Sequence, residues 1–172
     1  MSRKHSKESR RIVFTLPAPL LLRAIGADDQ AFLSELYAST RDDLAAMAAE
    51  PAFLAQLIGM QQRMQSQGYR SAFPDAAYAI VERAGQPIGR LVTEADGARL
   101  HLVDLAFTPS ARGQGYGGSV LRALQAAAGA RGLALTLSVL RANEGAARLY
   151  ARHGFDTVAS DDVQLRMRWS AP

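Results

Sequence analysis

Arg112-Gly113-Gln114-Gly115-Tyr116-Gly117-Gly118 sets four glycines in six positions directly after an arginine. The segment follows an apolar strand-like run ending at Phe107 and opens an Ala- and Leu-rich stretch that reads as a helix to about Arg131. Backbone N–H groups unshielded by a Cβ, together with the positive end of the helix, converge there on an anion. Arg112 adds a charge-assisted contact, and the guest this chemistry asks for is a phosphate or pyrophosphate. Taken alone, Gly113-x-Gly115-x-x-Gly118 also satisfies the dinucleotide fingerprint, while a tight turn without a ligand explains one or two of the glycines. The surroundings speak against a dinucleotide fold. Thr108–Arg112 intervene between strand and glycines, one βαβ crossover follows, and Arg141 rather than an acidic residue closes the next strand.

Outward from the loop, the sequence falls into regular elements. Upstream, Pro17 and Pro19 break an apolar lead-in before a first strand near Leu20–Ile25. Asp28 and Asp29 can cap a helix through Phe32, Leu33, Leu36 and Tyr37, and Pro51 opens a second through Phe53, Leu57 and Met64. Period-two runs follow at Ala77–Val81 and Ile88–Thr93, joined by a turn at Ala84–Pro87, and then at Arg99–Phe107. Beyond the glycine-led helix come a buried strand Leu133–Leu140, a helix Asn143–His153 stopped by Gly154, and strands near Phe155–Ala159 and Val163–Trp169. The order is β-α-α-β-β-β-α-β-α-β-β, an α/β protein of the α+β type with a mixed, mostly antiparallel sheet of six to seven strands and about four helices.

Composition limits the function. The 172 residues, 48% apolar and 21% charged, suit one domain with a continuous core. Residues 1–18 read as a basic, flexible extension and 19–172 as the single domain. The net charge of +4 is accounted for by Arg3, Lys4, Lys7, Arg10 and Arg11 against Glu8, so neither a nucleic acid nor a membrane is an expected partner. The chain has no cysteine, which excludes a Cys acyl-enzyme and fits a cytoplasmic setting, and its three histidines show no metal-ligand spacing, so no metal is expected.

Two motifs together resemble the GNAT superfamily of acyl-CoA-dependent N-acyltransferases. Arg112, Gly115 and Gly117 occupy its Arg/Gln-x-x-Gly-x-Gly/Ala cofactor motif, and Asn143-Glu144-Gly145-Ala146-Ala147-Arg148-Leu149-Tyr150 followed by Gly154-Phe155 matches its second, more distal one. The resemblance covers roughly residues 20–170. It implies a GNAT-like fold and acetyl-CoA as co-substrate, with Arg112, Gly113, Gln114, Gly115, Tyr116, Gly117 and Gly118 at the pyrophosphate. Asn143 and Tyr150 would lie along the cofactor, on a helix face shared with Ala147. Backbone groups of Leu105, Ala106 and Phe107 would pair with the pantetheine arm or polarise the thioester carbonyl.

The same resemblance makes Tyr150 the acid that protonates the departing thiolate, although a core tyrosine fits the position too. His101 stands where some relatives carry the base that deprotonates the acceptor, and an unperturbed imidazole of pKa about 6.5 suits that task. A packed strand histidine is the competing reading. Asp104 is the rival base: it alternates with Leu100, Leu102 and Ala106, so it is expected on an otherwise apolar face and must have a partner there. The resemblance further implies that the chain segment between the first strand and the second forms the acceptor pocket, with Tyr37, Arg41, Gln61, Gln62, Tyr69, Arg70 and Tyr78 as polar candidates. The Gln-rich run 61–70 also fits a solvated helix face. The acceptor implied is an amine, a small molecule in preference to a protein, and exposed sheet edges are compatible with a homodimer. A non-catalytic acyl-CoA sensor is the alternative function.

Overall fold

The computed structural model describes residues 12–41 and 50–172. One seven-stranded sheet, in the order β1-β2-β3-β4-β5-β7-β6, organises these residues. Strand β1 (Leu20–Ala24) is followed by α1 (Gln30–Ala38) and α2 (Pro51–Ala72), and then by the meander β2 (Ala77–Arg83), β3 (Gln86–Ala95) and β4 (Arg99–Phe107). Helix α3 (Tyr116–Gly129) crosses to β5 (Ala134–Leu140), and α4 (Glu144–Arg152) leads to β6 (Asp156–Ser160) and β7 (Gln164–Trp169). Every neighbouring pair is antiparallel except β4 and β5, which the α3 crossover makes parallel. The expected element order is the observed one within the described residues.

Each face of the sheet is covered for a reason visible in the sequence. Helix α3 buries Val120, Leu121, Leu124 and Ala128, a helical stripe, against Leu91, Leu100, Leu102, Leu135 and Leu137. Tyr150 from α4 and Met167 from β7 complete this core. On the opposite face, α1 contributes Leu36 and Tyr37, while Ile80 and Val92 are fully buried on the sheet. Within residues 12–18 of the expected flexible extension, Leu16 is buried and Ile12 and Phe14 lie partly buried against the core, while Val13, Thr15, Pro17 and Ala18 are exposed. The remainder of that expectation, residues 1–11, lies outside the described residues. Among the described residues no helix is long and apolar enough to cross a membrane.

The start of α1 is fixed to the sheet by charge. The Arg23 guanidinium donates two hydrogen bonds of 2.7 Å to Asp29 and one of 2.6 Å to Glu82 on the neighbouring strand β2. Asp29 also accepts from the Gly26 N–H at 2.7 Å, so it caps the short 3-10 turn Ala27–Asp29 that precedes α1 rather than α1 itself. The Arg23 hydrogen bonds, followed by the Gly26 amide, hold the Asp29 carboxyl down at about 2. Because the folded value lies below the unfolded one of about 3.9, Asp29 stabilises the fold fully above pH about 4, and this contribution disappears as the pH falls through about 2. Asp29→Asn is therefore expected to lower Tm at pH 7, with the gap to the parent closing between pH 4 and 2 in a thermal-melt series. A gap independent of pH would contradict the assignment.

Candidate functional site

Strands β4 and β5 pair from Arg99–Ala134 to Leu102–Leu137 and then separate. At the same place β4 carries a bulge. Thr93 of β3 opposes Leu102 and Val92 opposes Asp104, leaving Val103 as the extra residue. The inserted residue reverses the alternation. Leu100 and Leu102 face the α3 core, but after the bulge Leu105 and Phe107 pack on it, and Asp104 turns to the other face with Arg90 and Val92. This corrects the expectation that Asp104 shares a face with Leu100 and Leu102, which assumed an unbroken period of two. Between the separated strands lies a cavity of about 740 Å³. Val103–Ala106 line it from one strand and Ser138–Leu140 from the other, and Tyr150 and Ala146 reach it from α4. Without a neighbouring strand at this point, backbone N–H and C=O groups of β4 and β5 can serve an extended, amide-bearing ligand.

The glycine loop begins beyond the end of β4, after a 3-10 turn at Pro109–Ala111. Gly115 is the N-cap residue of α3 at φ +81°, with no side-chain cap, and Gly113 has φ +71°. This left-handed backbone turns the chain tightly into the helix and leaves the N–H groups of the first turn for an external anion. Gly117 and Gly118 have a different duty. A Cβ on Gly118 would stand 2.8 Å from His153 Nε2, and one on Gly117 would stand 3.1 Å from Leu149, so these two glycines let α3 pack closely on α4. Arg112 braces the loop: its Nε donates to Phe107 O at 3.0 Å, and its Nη2 donates to Ser39 O at 2.9 Å and to Ser39 Oγ at 3.0 Å, just past the end of α1. The Tyr116 ring packs tilted against Phe107 and lies under the Arg83 guanidinium. Gln114 is exposed.

On the α1/α2 side of the cavity, Arg90 Nε donates to Asp104 Oδ2 at 2.9 Å, and Arg90 Nη2 donates to Gln65 Oε1 of α2 at 3.1 Å. Burial alone would lower the Arg90 pKa, but the charge and hydrogen bond of Asp104 outweigh it and raise it. Burial, followed by the Asp104 charge, pushes the Tyr69 pKa up to about 12. Tyr150 is raised to about 12 by the same two causes in the same order. Both phenols therefore stay protonated at neutral pH. Tyr37 and Arg41 form the far wall, the Arg41 Nη1 donating to Tyr37 Oη at 2.8 Å and to Gln61 Oε1.

The cavity thus brings together Asp104, Tyr150, Leu105, Ala106 and Asn143 from the sequence candidates, along with Tyr37, Arg41 and Tyr69. Asn143 caps α4, its Oδ1 accepting from Ala146 N at 3.1 Å, so the face lining the cavity runs through Ala146 rather than the expected Ala147. Phe107 and the 112–118 loop do not line the cavity. His101 is also set apart, before the bulge where β4 and β5 are still paired. Its Nδ1 is 2.8 Å from Thr136 Oγ1, its ring stacks on Phe73, and burial followed by the Arg99 charge pushes its pKa down to about 4. Gln62 does not fit a solvated face: only 4% exposed, its Oε1 accepts from Ser34 and Gln30. Gln65 falls within the Gln-rich run 61–70, whereas Arg90 belongs to no motif in the sequence. An arginine inside the apolar strand Ile88–Val92 was the available signal, since a strand charge between buried neighbours requires a partner. Among the described residues no cluster of His, Cys, Asp or Glu suits a metal ion.

Comparison with known proteins agrees with this geometry. Residues 38–155, more than half of the chain, match the model of the acetyltransferase (GNAT) family. No curated protein matches the sequence significantly. Among solved structures, the PaiA N-acetyltransferase of Thermoplasma acidophilum in complex with coenzyme A superposes with a TM-score of 0.65 at 16% identity, over 88% of this chain and 99% of that one. An acetyltransferase from Thermus thermophilus gives 0.63 at 17% identity, over 92% and 100%. The spermidine N-acetyltransferase of Vibrio cholerae, solved with coenzyme A and spermine, gives 0.59 at 19% identity, over 90% and 96%. The chain belongs to the acetyltransferase (GNAT) family. Its chemistry is acetyl-CoA-dependent N-acetylation, with acetyl-CoA as the acyl donor.

The four glycines are expected to separate on mutation. Gly115→Val forces a β-branched residue into the left-handed region and is expected to weaken coenzyme A binding by at least about tenfold in calorimetry, from a backbone cost of about 1–2 kcal/mol or more. Gly118→Ala keeps its N–H but crowds His153, whose ring is held by Leu149 O at 2.9 Å. It is expected to lower Tm by several degrees, from an overpacking cost of about 1–3 kcal/mol, with coenzyme A affinity retained. Equal effects of both variants on affinity would contradict the division.

Proposed function

We propose that the acetyl group passes directly from acetyl-CoA to a small-molecule amine while both occupy the cleft, with Asp104 receiving the acceptor and Tyr150 the leaving sulfur. The observation that carries this reading is the presence of Asp104 and Tyr150 in one cavity at the point where β4 and β5 part. The pantetheine arm enters between the strands, beside the backbone of Leu105 and Ala106, and the pyrophosphate rests on the N–H groups of the 113–118 loop. The acceptor comes from the α1/α2 side, past Tyr37 and Tyr69.

The acceptor ammonium first loses one proton to solvent water, and the neutral amine then attacks the thioester carbonyl, forming the C–N bond. The nitrogen then gives up a proton to the Asp104 carboxylate, and the C–S bond breaks to release the thiolate. Tyr150 donates its O–H to that sulfur. With a phenol at about 12 and an ordinary thiol at about 8.5, complete transfer from Tyr150 alone is uphill, so the proton must be resupplied. The shared cavity wall of Asp104 and Tyr150 supports a relay in which the proton taken from nitrogen returns through Asp104 and Tyr150 to sulfur. The outer strands β1 and β6, with Leu21 and Val158 exposed, support a homodimer as part of this reading, and the absence of cysteine supports a cytoplasmic setting.

A thiol-release assay with acetyl-CoA and a panel of small amines tests the proposal; release that no amine accelerates would refute it. Tyr150→Phe is expected to reduce kcat by about 10²–10³ with a nearly unchanged KM for acetyl-CoA, and an unaltered kcat would remove the acid role. Because the His101 imidazole is already neutral above pH about 4, His101→Gln is expected to leave the shape of the pH–rate profile between 6 and 8 unchanged. Loss of a limb at about pH 6.5 in that variant would restore His101 as the base.

A further inference from the structure

We infer that Arg90 is a specificity-determining residue: by pairing with Asp104 inside the cleft it removes the net negative charge from the acceptor side, and so selects acceptors with a single amine over polyamines. The inference rests on the reading above that the acceptor nitrogen meets Asp104. Asp104 is the only carboxylate among the described residues lining the cavity. Its Oδ2 accepts from Arg90 Nε at 2.9 Å, and the two side chains are 9% and 16% exposed, so water does little to screen the pair. Gln65 of α2 accepts from Arg90 Nη2 at 3.1 Å, which gives the guanidinium a second anchor.

Among the described residues the rest of the wall offers hydrogen bonds without charge of the right sign. Tyr69 and Tyr150 are neutral phenols at physiological pH, and the Oε1 of Gln65 is already engaged by Arg90, which leaves its amide N–H groups for a ligand. A first ammonium finds Asp104. A second, close to the first, finds the Arg90 guanidinium, with Arg41 as a further cation in the wall and, among the described residues, no carboxylate, which combines an uncompensated buried charge with like-charge repulsion. The acceptor class that fits is a monoamine whose remaining groups are neutral and hydrogen-bonding, such as an amino alcohol or amino sugar.

Two probes of equal length isolate the effect: 5-aminopentan-1-ol and 1,5-diaminopentane, which differ in a terminal hydroxyl against a second ammonium. With the full-length protein and saturating acetyl-CoA, kcat/KM for the amino alcohol is expected to exceed that for the diamine by at least about tenfold, the scale of one poorly screened like-charge contact. Arg90→Gln is expected to reduce this ratio at least about fivefold, and Arg90→Lys, which restores the positive charge, to recover most of it. Acetyl-CoA binding measured on the same variants reports whether they fold. A parent protein that uses the diamine as well as the amino alcohol, or uses neither, overturns the inference even if Arg90→Gln does not fold. So does a ratio unchanged in an Arg90→Gln protein that binds acetyl-CoA. Asp104→Asn tests the underlying reading separately: it should depress kcat/KM for both probes, and unaltered rates there would refute the role of Asp104 whatever Arg90 does.

Discussion

Strands β4 and β5 are parallel neighbours for four residue pairs and then part, and most of what the molecule can do follows from that separation. The α3 crossover imposes the parallel pairing, and the bulge at Val103 falls where it ends. One inserted residue has two consequences there. It increases the local twist of β4 as the strand leaves β5, and it exchanges the faces of the residues that follow. Leu105 continues the core, while Asp104 is carried to the side of α1 and α2. Without the bulge a carboxylate would be driven into the Leu100–Leu102 layer, where burial without a partner costs several kcal/mol.

Once Asp104 is on that side, the remaining polar groups are arranged around it. Arg90 comes from the adjacent strand, Gln65 and Tyr69 from α2, and Tyr150 from α4. Their positions depend on helices that the sheet alone would not hold. Arg23 joins β1, β2 and the turn before α1, and Arg112 joins the glycine loop to Ser39 beyond the end of α1. The Arg112 bridge connects the loop assigned to the donor's pyrophosphate with the helix that walls the acceptor side, so the two halves of the cleft share a structural member.

Much of the fold was legible in the sequence because its signals are local. The Ala84-Gly85 turn, the glycine stop at Gly154 and the apolar stripe of α3 each depend on a few neighbouring residues. The site was legible to the extent that it is carried by the glycine loop and the Asn143–Tyr150 helix. What could not be read depends on register and on long-range packing. Alternation counted along Arg99–Phe107 gives the wrong face for Asp104, since nothing in the residue types marks Val103 as the extra one. Gly117 and Gly118 look identical to Gly113 and Gly115 in the chain, yet their neighbours Leu149 and His153 lie about thirty residues away. His101 has the residue type of a base, but its partners Phe73 and Thr136, from α2's end and β5, are distant in sequence.

A crystal structure of the protein with coenzyme A addresses the central claim most directly. The account predicts the pantetheine arm between Val103–Ala106 and Ser138–Leu140, the pyrophosphate on the backbone N–H groups of residues 113–118, and the sulfur next to the Tyr150 hydroxyl. Coenzyme A bound elsewhere, with the gap between β4 and β5 empty or the sulfur remote from Tyr150, would contradict it.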